Sequence, residues 1–296
     1  MTLFDIEPYL VRKSALINRA LEKRLPAKNT RPAVLHRAMR YSVLAGGKRL
    51  RPILCLAAAK AVGGEEKNAL IPALAIEILH TYTLIHDDLP CMDNDNLRRG
   101  KPTSHVVFGE ANALLAGDAL LTLAFEWLAT AVPLPPHKTS DLIRELAHAA
   151  GSQGVIGGQV EDLAAEGKKT NASKVRDIHL HKTAALIRAA ARMGGICAGA
   201  NAAVLKALSA YGTKAGLAFQ IADDILNETS SPEKMGKAAG SDRARGKMTY
   251  VAAHGIAQAE KMARRLANEA MASLQNLKGN TGPLAALVDF IVTRKL

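Results

Sequence analysis

Residues 84–100 read LIHDDLPCMDNDNLRRG, a stretch that places four carboxylates within nine residues and ends with two arginines and a glycine. An apolar run from Ala69 to Ile85 leads into it. Acidic side chains packed this closely repel one another, so the cluster predicts a bound cation. Carboxylate oxygens without a thiolate pattern or paired histidines favour Mg²⁺ over Zn²⁺. The guanidinium groups of Arg98 and Arg99 are suited to phosphate oxygens.

A second acidic cluster follows in the other half of the chain, where residues 219–227 read FQIADDILN. Asp223 and Asn227 are four residues apart and share a helix face. Asp87 and Asp93 are six apart and would lie about 240° apart on an ideal helix. Pro90 between them is expected to end or kink the helix, which would let Asp93 return towards Asp87.

The composition favours packed helices. Apolar residues make up 48% of the 296 residues and aromatic residues only 4%, while alanine and leucine are abundant, which favours closely packed helices over sheet. We find no apolar–polar alternation of useful length. We therefore expect an all-α fold in which residues 1–296 form a single domain.

The net charge of +12 indicates anionic partners. The basic residues stand in short clusters beside acidic motifs and aromatic residues are few, so we expect no nucleic-acid partner. Three widely spaced cysteines favour a reducing compartment, and we expect a cytoplasmic protein. The N-terminus lacks the features of a signal peptide, and the longest apolar run, residues 111–131, is interrupted by Asp118 and Glu126, so we expect no membrane span.

Helical periodicity, punctuated by glycine and proline, gives the element order. We predict helices over residues 5–25, 33–45, 53–62, 69–86, 103–117, 119–131, 142–150, 184–200, 202–227, 250–277 and 283–294. His80 lies seven residues before Asp87 and so on nearly the same helix face. His179 and His181 are two residues apart and would not face one metal on a helix, so a histidine metal site is not expected.

Two basic segments are candidates for phosphate binding. Residues 46–52 read GGKRLRP, in which glycines allow close approach of the backbone to a ligand and three cations follow. A helix end followed by a solvated basic turn explains the same residues, and the spacing is not that of a P-loop. Residues 229–248 are polar and rich in cations, which fits either a solvated face or a lid that closes on phosphate.

Two acidic clusters on apolar helices, each beside cations, suggest one cavity. Metal ions there would bridge the carboxylates to a diphosphate and make it a good leaving group. Because the remaining walls are apolar, the organic part of the substrate should be hydrocarbon. The chemistry that fits is ionisation of an allylic diphosphate in a dry pocket.

The motifs GGKRLRP, LIHDDLPCMDNDNLRRGKPTSH, FQIADDILN, MGK and GKMTY occur in this order along the chain. Together they resemble the trans-isoprenyl diphosphate synthases of the polyprenyl synthetase family, and are most similar to bacterial farnesyl and plant-type geranylgeranyl diphosphate synthases. The resemblance implies an all-α homodimer with a deep central cavity and about three Mg²⁺ ions. It also implies head-to-tail condensation of isopentenyl diphosphate with an allylic diphosphate: the allylic diphosphate ionises, the alkene attacks the cation, and a proton is lost.

The resemblance further implies roles for individual residues. The direct Mg²⁺ ligands would be Asp87, Asp93 and Asp223. Supporting carboxylates would be Asp88 and Asp224. The isopentenyl diphosphate site would comprise Lys48, Arg51, His80 and Arg99. The allylic diphosphate site would comprise Arg98, Lys182 and Lys237. Residues near the developing carbocation would be Thr183 and Gln220, and a further cavity-wall pair would be Gln159 and Asp162.

Three positions depart from the family pattern, since Asn94, Asn96 and Asn227 stand where the family usually has aspartate. Asn227 still accepts a hydrogen bond but lacks a charge beside the expected metal. Product length depends in the family on the residues five and four positions before the first aspartate, here Tyr82 and Thr83. The bulk of Tyr82 favours farnesyl diphosphate (C15), whereas the sequence CMDNDNLRRGKPT is more similar to geranylgeranyl (C20) enzymes.

Other functions fit the motifs less well. A terpene cyclase would lack the basic site at residues 46–51 and would usually replace the second aspartate pair by an Asn/Ser/Glu triad. A non-catalytic regulatory subunit of a prenyl synthase would be expected to lose Asp87 or Asp93, and both are present.

Overall fold

The apolar run that precedes the first acidic cluster forms a helix in the interior of the molecule. This helix, α4, runs from Glu66 to Asp87, and most of its side chains are buried. It ends three residues before Pro90, because proline lacks a backbone donor and disfavours helical conformation in the residue before it. Asp87 is thereby presented at the end of a buried helix.

The computed structural model describes residues 4–229 and 246–293. Around α4 lie the helices α1 (Ile6–Arg24), α2 (Ala33–Val43), α3 (Leu50–Ala61), α5 (Ser104–Phe108), α6 (Glu110–Ala129), α7 (Thr139–Ala150), α8 (Val155–Ala165), α9 (Ala172–Ile178), α10 (Ala185–Cys197), α11 (Ala202–Thr229), α12 (Tyr250–His254), α13 (Ile256–Ala272) and α14 (Gly282–Thr293). Strands β1 (Leu97–Arg98) and β2 (Lys101–Pro102) pair antiparallel after the first acidic cluster. The prediction of an all-α fold is confirmed.

Two hydrophobic clusters hold these helices together. In the larger cluster α4 packs against α3 and α6, and α10 packs against α3 and α11. The smaller cluster lies between α9, α11 and α13. Because α11 contributes to both clusters, it joins the C-terminal helices to the rest of the bundle.

Two differences between the predicted helices and the structure occur at glycines. The break predicted at Gly117 was wrong, because α5 ends and α6 begins at Gly109, whose φ of 81° is left-handed. Gly117 lies inside α6, where a Cβ would stand 2.1 Å from Nε2 of His86. Its missing side chain therefore allows α6 to approach α4. The helix predicted over residues 250–277 is likewise divided, at Gly255.

A π-helical segment, His179–Ala184, connects α9 to α10. Short π-helical segments of this kind are frequent at functional sites. Gly158 of α8 packs directly against this segment, since a Cβ on Gly158 would lie 2.3 Å from the backbone nitrogen of Lys182. The contact holds Lys182 and Thr183 at one place along α8.

Two helices, α4 and α6, are long and apolar enough to cross a membrane by length and composition alone. Asp118 and Glu126, which were expected to interrupt the longest apolar run, therefore do not exclude α6 by this criterion. The core helix of a globular bundle has the same composition, and 67% of the apolar window of α4 is buried inside the bundle. For α6 the buried share is 39%, so α6 leaves an accessible apolar face that includes Leu114 and Leu115.

Candidate active site

A cavity of about 300 Å³ lies between α3, α4, α8, the π-helical segment and α11. Most residues that the sequence assigned to the site line it, namely Arg51, His80, Thr83, Asp87, Arg98, Arg99, Lys182, Thr183, Gln220 and Asp223. Apolar side chains complete the walls: Leu84, Val155, Leu186 and Phe219. The two acidic motifs thus contribute to one cavity. A larger groove of about 810 Å³, against the outer face of α8, contains none of these residues.

The loop after α4 folds back on the end of the helix. The backbone N–H of Asp93 donates to the backbone oxygen of Asp87 at 2.8 Å, and that of Asn94 donates to Leu89 at 3.1 Å. This reversal returns Asp93 to the end of α4. Burial raises the pKa of Asp87 above its usual range; Lys182 opposes that rise and the Asp93 carboxylate adds to it. A cation beside both carboxylates would relieve the penalty.

Asp88 is turned to a different partner. It is buried, and Nε of Arg98 donates to its two carboxylate oxygens at 2.7 and 2.8 Å. Burial would lower the pKa of Arg98, but the hydrogen bonds and charge of Asp88 outweigh that effect and raise it. Asp88 therefore holds a charged guanidinium at the cavity wall.

The adjacent aspartates of the second motif also have different surroundings. Asp223 lines the cavity. Asp224 is buried and accepts hydrogen bonds from the backbone N–H of Tyr250 at 2.7 Å and from Nε2 of Gln220 at 3.1 Å. The amide oxygen of Gln220 in turn accepts from Oγ1 of Thr183 at 2.7 Å. Because an ionised carboxylate only accepts, Asp224 fixes the end of the Gln220 amide that faces Thr183.

Two lysines stand beside the carboxylates of α8 and of the first motif. Nζ of Lys182 donates to Asp162 at 2.6 Å. Nζ of Lys247 lies 3.0 Å from Oδ1 of Asp93 and 3.9 Å from Oδ2 of Asp162. We call these four residues the lysine bridge. It connects α8, the π-helical segment, the first acidic motif and the segment before α12.

Basic residues line another wall of the cavity. Nη1 of Arg51 lies 3.1 Å from Nε2 of His80. Burial, reinforced by Arg51, holds the pKa of His80 well below its usual range, so the imidazole is neutral and its Nε2 accepts from Arg51. Burial lowers the pKa of Arg51 to about 10, so the guanidinium stays charged at neutral pH. Lys48, three residues before Arg51, is exposed to solvent. The guanidinium of Arg99 occupies the space that a side chain at position 47 would fill.

The two residues expected at the cavity floor occupy different sides of α4. Thr83 lines the cavity. Tyr82 lies about 140° around the helix from Asp87 and packs edge to face on His86, with ring centroids 5.5 Å apart. Tyr82 is buried, and within residues 4–229 and 246–293 its hydroxyl has no hydrogen-bond partner. The ring therefore contributes bulk, not polar contacts, on the side of α4 that faces α6.

The asparagines that depart from the family pattern have different settings. Asn94 is exposed and has a φ of 51°, a left-handed conformation that asparagine tolerates better than most residues. Asn96 is exposed. Asn227 lines a second cavity, of about 410 Å³, together with Asp224 and Lys247. Asn227 therefore lies beside charged groups of the proposed site in this cavity.

A buried ion pair was not predicted from the sequence. Arg49, one of the cations of residues 46–52, turns inward, and its Nη1 donates to Oε1 of Glu77 at 2.6 Å. Glu77 interrupts the apolar run of α4, and an isolated acid in such a run was the available signal. Lys247, which was expected on a solvated face or in a lid, forms an ion pair with Asp93. Lys237 lies outside the described residues.

The oxygen donors fit a hard divalent cation that shares its ligands with a substrate. Asp87 and Asp93 meet at the end of α4, and Asp223 lines the same cavity. Within the described part of the chain, no three or more Asp, Glu, His or Cys side chains are close enough to hold a metal by themselves. Mg²⁺ commonly binds through one or two carboxylates and completes its shell with water and phosphate. The arrangement suits Mg²⁺ delivered with a diphosphate.

Comparison with known proteins agrees with this geometry. A family model described as "Polyprenyl synthetase" matches residues 32–281. Among curated proteins, "Geranylgeranyl pyrophosphate synthase 4" of Arabidopsis thaliana is 45% identical over 295 residues, which is 98% of this chain and 78% of that protein.

The solved structures that are similar to this chain include prenyl diphosphate synthases as well. The geranylgeranyl pyrophosphate synthetase of Pyrococcus horikoshii Ot3 superposes with a TM-score of 0.89 at 34% identity, covering 97% of this chain and 98% of that one. A geranyltransferase of Helicobacter pylori, solved with magnesium and isoprenyl diphosphate, has a TM-score of 0.84 at 35% identity and covers 99% and 98% of the two chains.

Proposed function

The chain belongs to the polyprenyl synthetase family of prenyltransferases, and on that premise we propose that it condenses isopentenyl diphosphate head-to-tail with dimethylallyl and geranyl diphosphate. The observation that carries the proposal is the meeting of both aspartate motifs with Arg51, Arg98, Arg99 and Lys182 around one cavity whose other walls are apolar. Carboxylates and cations around the same cavity suit two diphosphates with metal ions beside them. The apolar walls suit the prenyl chain.

The protein's own groups hold and orient the reactants. Arg51 and Arg99, with neutral His80 behind Arg51, would bind the diphosphate of isopentenyl diphosphate, while Arg98 and Lys182 would bind that of the allylic substrate. Mg²⁺ held by Asp87, Asp93 and Asp223 would neutralise the departing diphosphate. The water-poor walls strengthen every electrostatic contact made during ionisation.

Thr183 and Gln220 would stabilise the allylic cation. The hydroxyl hydrogen of Thr183 is engaged by Gln220, so the lone pairs of its oxygen are free to face positive charge in the cavity. Asp224 prevents the Gln220 amide from turning over, because it needs the NH₂ group. Fixed dipoles of this kind stabilise charge without reorganising during the reaction.

We propose farnesyl diphosphate as the main product. Tyr82 lies five residues before Asp87, about 7.5 Å along the helix axis, and its buried ring supports a limit to chain growth on the α6 side of α4. Geranylgeranyl diphosphate is the second candidate, favoured by the names of the similar proteins from Arabidopsis thaliana and Pyrococcus horikoshii and by the position of Thr83, the smaller residue, at the cavity wall.

Changes at Tyr82 and Thr83 should move product length in opposite directions. Tyr82→Ala should lengthen the main product by one or more isoprene units, because the ring's bulk is removed. Tyr82→Phe should leave it unchanged, because the hydroxyl makes no hydrogen bond with the described residues. Thr83→Phe should shorten it to geranyl diphosphate by filling the cavity. Chromatography of the dephosphorylated products measures all three, and an unchanged product from Tyr82→Ala would place the limit elsewhere.

Removing Lys247 should strengthen binding of Mg²⁺ to the substrate-free protein. An ion at Asp93 has to displace the ammonium group that lies 3.0 Å from that carboxylate. We expect Lys247→Met to bind Mg²⁺ about tenfold more tightly, the equivalent of about 1.4 kcal/mol, and the control Lys247→Arg to resemble the wild type. Calorimetric titration without substrate measures the affinity. Equal affinities for Lys247→Met and wild type would show that Lys247 does not compete with the ion.

We also propose that the protein is a homodimer. The apolar side chains Val106, Val107, Leu114 and Leu115 are about half accessible along α5 and α6, and apolar patches of this kind typically mark interfaces. Light scattering coupled to gel filtration gives the mass in solution. Leu115→Lys would be expected to convert a dimer to monomers, and a wild-type protein with the mass of one chain would refute the proposal.

A product assay tests the proposed function. The protein is incubated with Mg²⁺, isopentenyl diphosphate and, separately, dimethylallyl, geranyl or farnesyl diphosphate, and the prenyl products are sized. Elongation to C15 supports both the reaction and the product. A C20 product supports the reaction with the second candidate. No condensation with any primer would refute the reaction.

A further inference from the structure

The segment that carries Lys48 and Arg51 has an unusual backbone. Gly46 and Gly47 have positive φ angles, and so does Arg49, at 50°. A left-handed conformation costs free energy in a residue other than glycine, so it persists only where surrounding contacts enforce it. At Arg49 the structure shows what those contacts are.

Each of the three guanidinium nitrogens of Arg49 donates a hydrogen bond inside the protein. Its Nε donates to Oδ1 of Asn18 in α1 at 2.9 Å, its Nη1 to Oε1 of Glu77 in α4 at 2.6 Å, and its Nη2 to the backbone oxygen of Val43 at the end of α2 at 2.6 Å. The Arg49 side chain is 1% exposed and that of Glu77 is 3% exposed. One side chain therefore ties three helices to the start of α3.

The buried Arg49 side chain determines the direction of the side chains next to it in the sequence. With Arg49 turned inward as the residue before α3, Arg51 in the first turn of that helix lines the cavity, while Lys48 is left exposed. Arg99 is joined to the same segment, because it donates to the backbone oxygen of Gly46 and occupies the space beside Gly47. The three cations assigned to isopentenyl diphosphate thus depend on one backbone conformation.

Glu77 also supplies the negative charge beneath these cations. Its charge favours the protonated forms of Arg51 and Arg99, which burial disfavours. A carboxylate behind the binding groups, out of reach of the cavity, stabilises the cluster without competing for the diphosphate.

We infer that the buried pair of Arg49 and Glu77 positions Lys48, Arg51 and Arg99, and so sets the affinity for isopentenyl diphosphate without touching it. The inference rests on the proposed function, because it assigns these three cations to that substrate. Arg49 and Glu77 are positioning residues. A purely structural pair would affect both substrates alike, whereas a positioning pair affects one.

The experiment measures KM for isopentenyl diphosphate and for geranyl diphosphate separately. The double variant Arg49→Met/Glu77→Leu leaves no unpaired buried charge, and Asn18→Ala removes one hydrogen bond of Arg49 while keeping the ion pair. We expect the double variant to raise KM for isopentenyl diphosphate about tenfold or more, Asn18→Ala to raise it about threefold, and KM for geranyl diphosphate to stay within about twofold of wild type in both.

The control is Lys13→Met, which breaks another ion pair between α1 and α4, with Glu66. It should lower the melting temperature without changing either KM. Unchanged KM for isopentenyl diphosphate in Asn18→Ala and in the folded double variant would overturn the inference, and so would equal rises in both KM values. If the double variant does not fold, Asn18→Ala alone decides. A wild-type protein that does not consume isopentenyl diphosphate would instead refute the proposed function.

Discussion

Asp87→Ala is expected to lower the rate of condensation by at least about 1,000-fold. Asp87 is the last residue of a buried helix, and the Asp93 backbone folds back onto it. Loss of its carboxylate would remove an oxygen donor from the cavity that both acidic motifs line. A metal ion supplies several kcal/mol of charge stabilisation in such reactions, and about 1.36 kcal/mol corresponds to each tenfold change in rate.

The test combines kinetics with metal binding. Single-turnover rates with geranyl and isopentenyl diphosphate report the chemical step, and calorimetry reports Mg²⁺ binding in the presence of a non-ionising allylic analogue. Asp118→Ala is the matched control, since Asp118 is an aspartate on the accessible side of α6, 3.7 Å from His86. A rate within tenfold of wild type for Asp87→Ala would contradict the assignment of Asp87 as a metal ligand.

Gly158→Ala is expected to lower kcat by about 100-fold while leaving the protein folded. The new methyl group would lie 2.3 Å from the nitrogen and 2.7 Å from the Cα of Lys182. These are backbone atoms, so α8 and the π-helical segment must separate. Lys182 and Thr183 would then shift relative to Asp223 and Gln220, and displacements near 1 Å at reacting groups cost about 100-fold in rate.

We expect Gly158→Ala to lower kcat strongly while the protein remains folded. Overpacking of a well-packed contact costs about 1–3 kcal/mol, which lowers the melting temperature without unfolding the protein at 25 °C. The matched control is Ala164→Val, which adds bulk at an exposed position of the same helix. Wild-type kcat in Gly158→Ala would show that α8 and the π-helical segment tolerate separation.

The sequence predicted the helical class because apolar positions recur at helical spacing along most of the chain. It did not predict that α6 begins at Gly109 and continues through Gly117, since a glycine inside a helix and one between helices look alike until the neighbouring side chain is known. His86 makes that difference here. The π-helical segment was not predicted either, because its extra residue per turn leaves no distinct sequence pattern.

At the candidate site, residue types and motifs indicated which side chains belong to the cavity, but not which way each one turns. Asp223 and Asp224 are adjacent and chemically identical, yet one lines the cavity and the other bonds to Gln220 and to the backbone of Tyr250. Arg49 and Arg51 likewise point in different directions: Arg49 is buried against Glu77 and Arg51 lines the cavity. This difference was not predictable, because only tertiary contacts hold Arg49 in its left-handed conformation. Tyr82 was expected at the cavity floor, and it packs on His86, which lies against Gly117 of α6.

The lysine bridge affects how the protein folds in the absence of metal ions. Carboxylates held close together without a metal repel one another, which opposes folding. Here Lys247 and Lys182 already balance Asp93 and Asp162. We therefore expect the chain to fold without bound Mg²⁺, and a chelator to leave the protein folded.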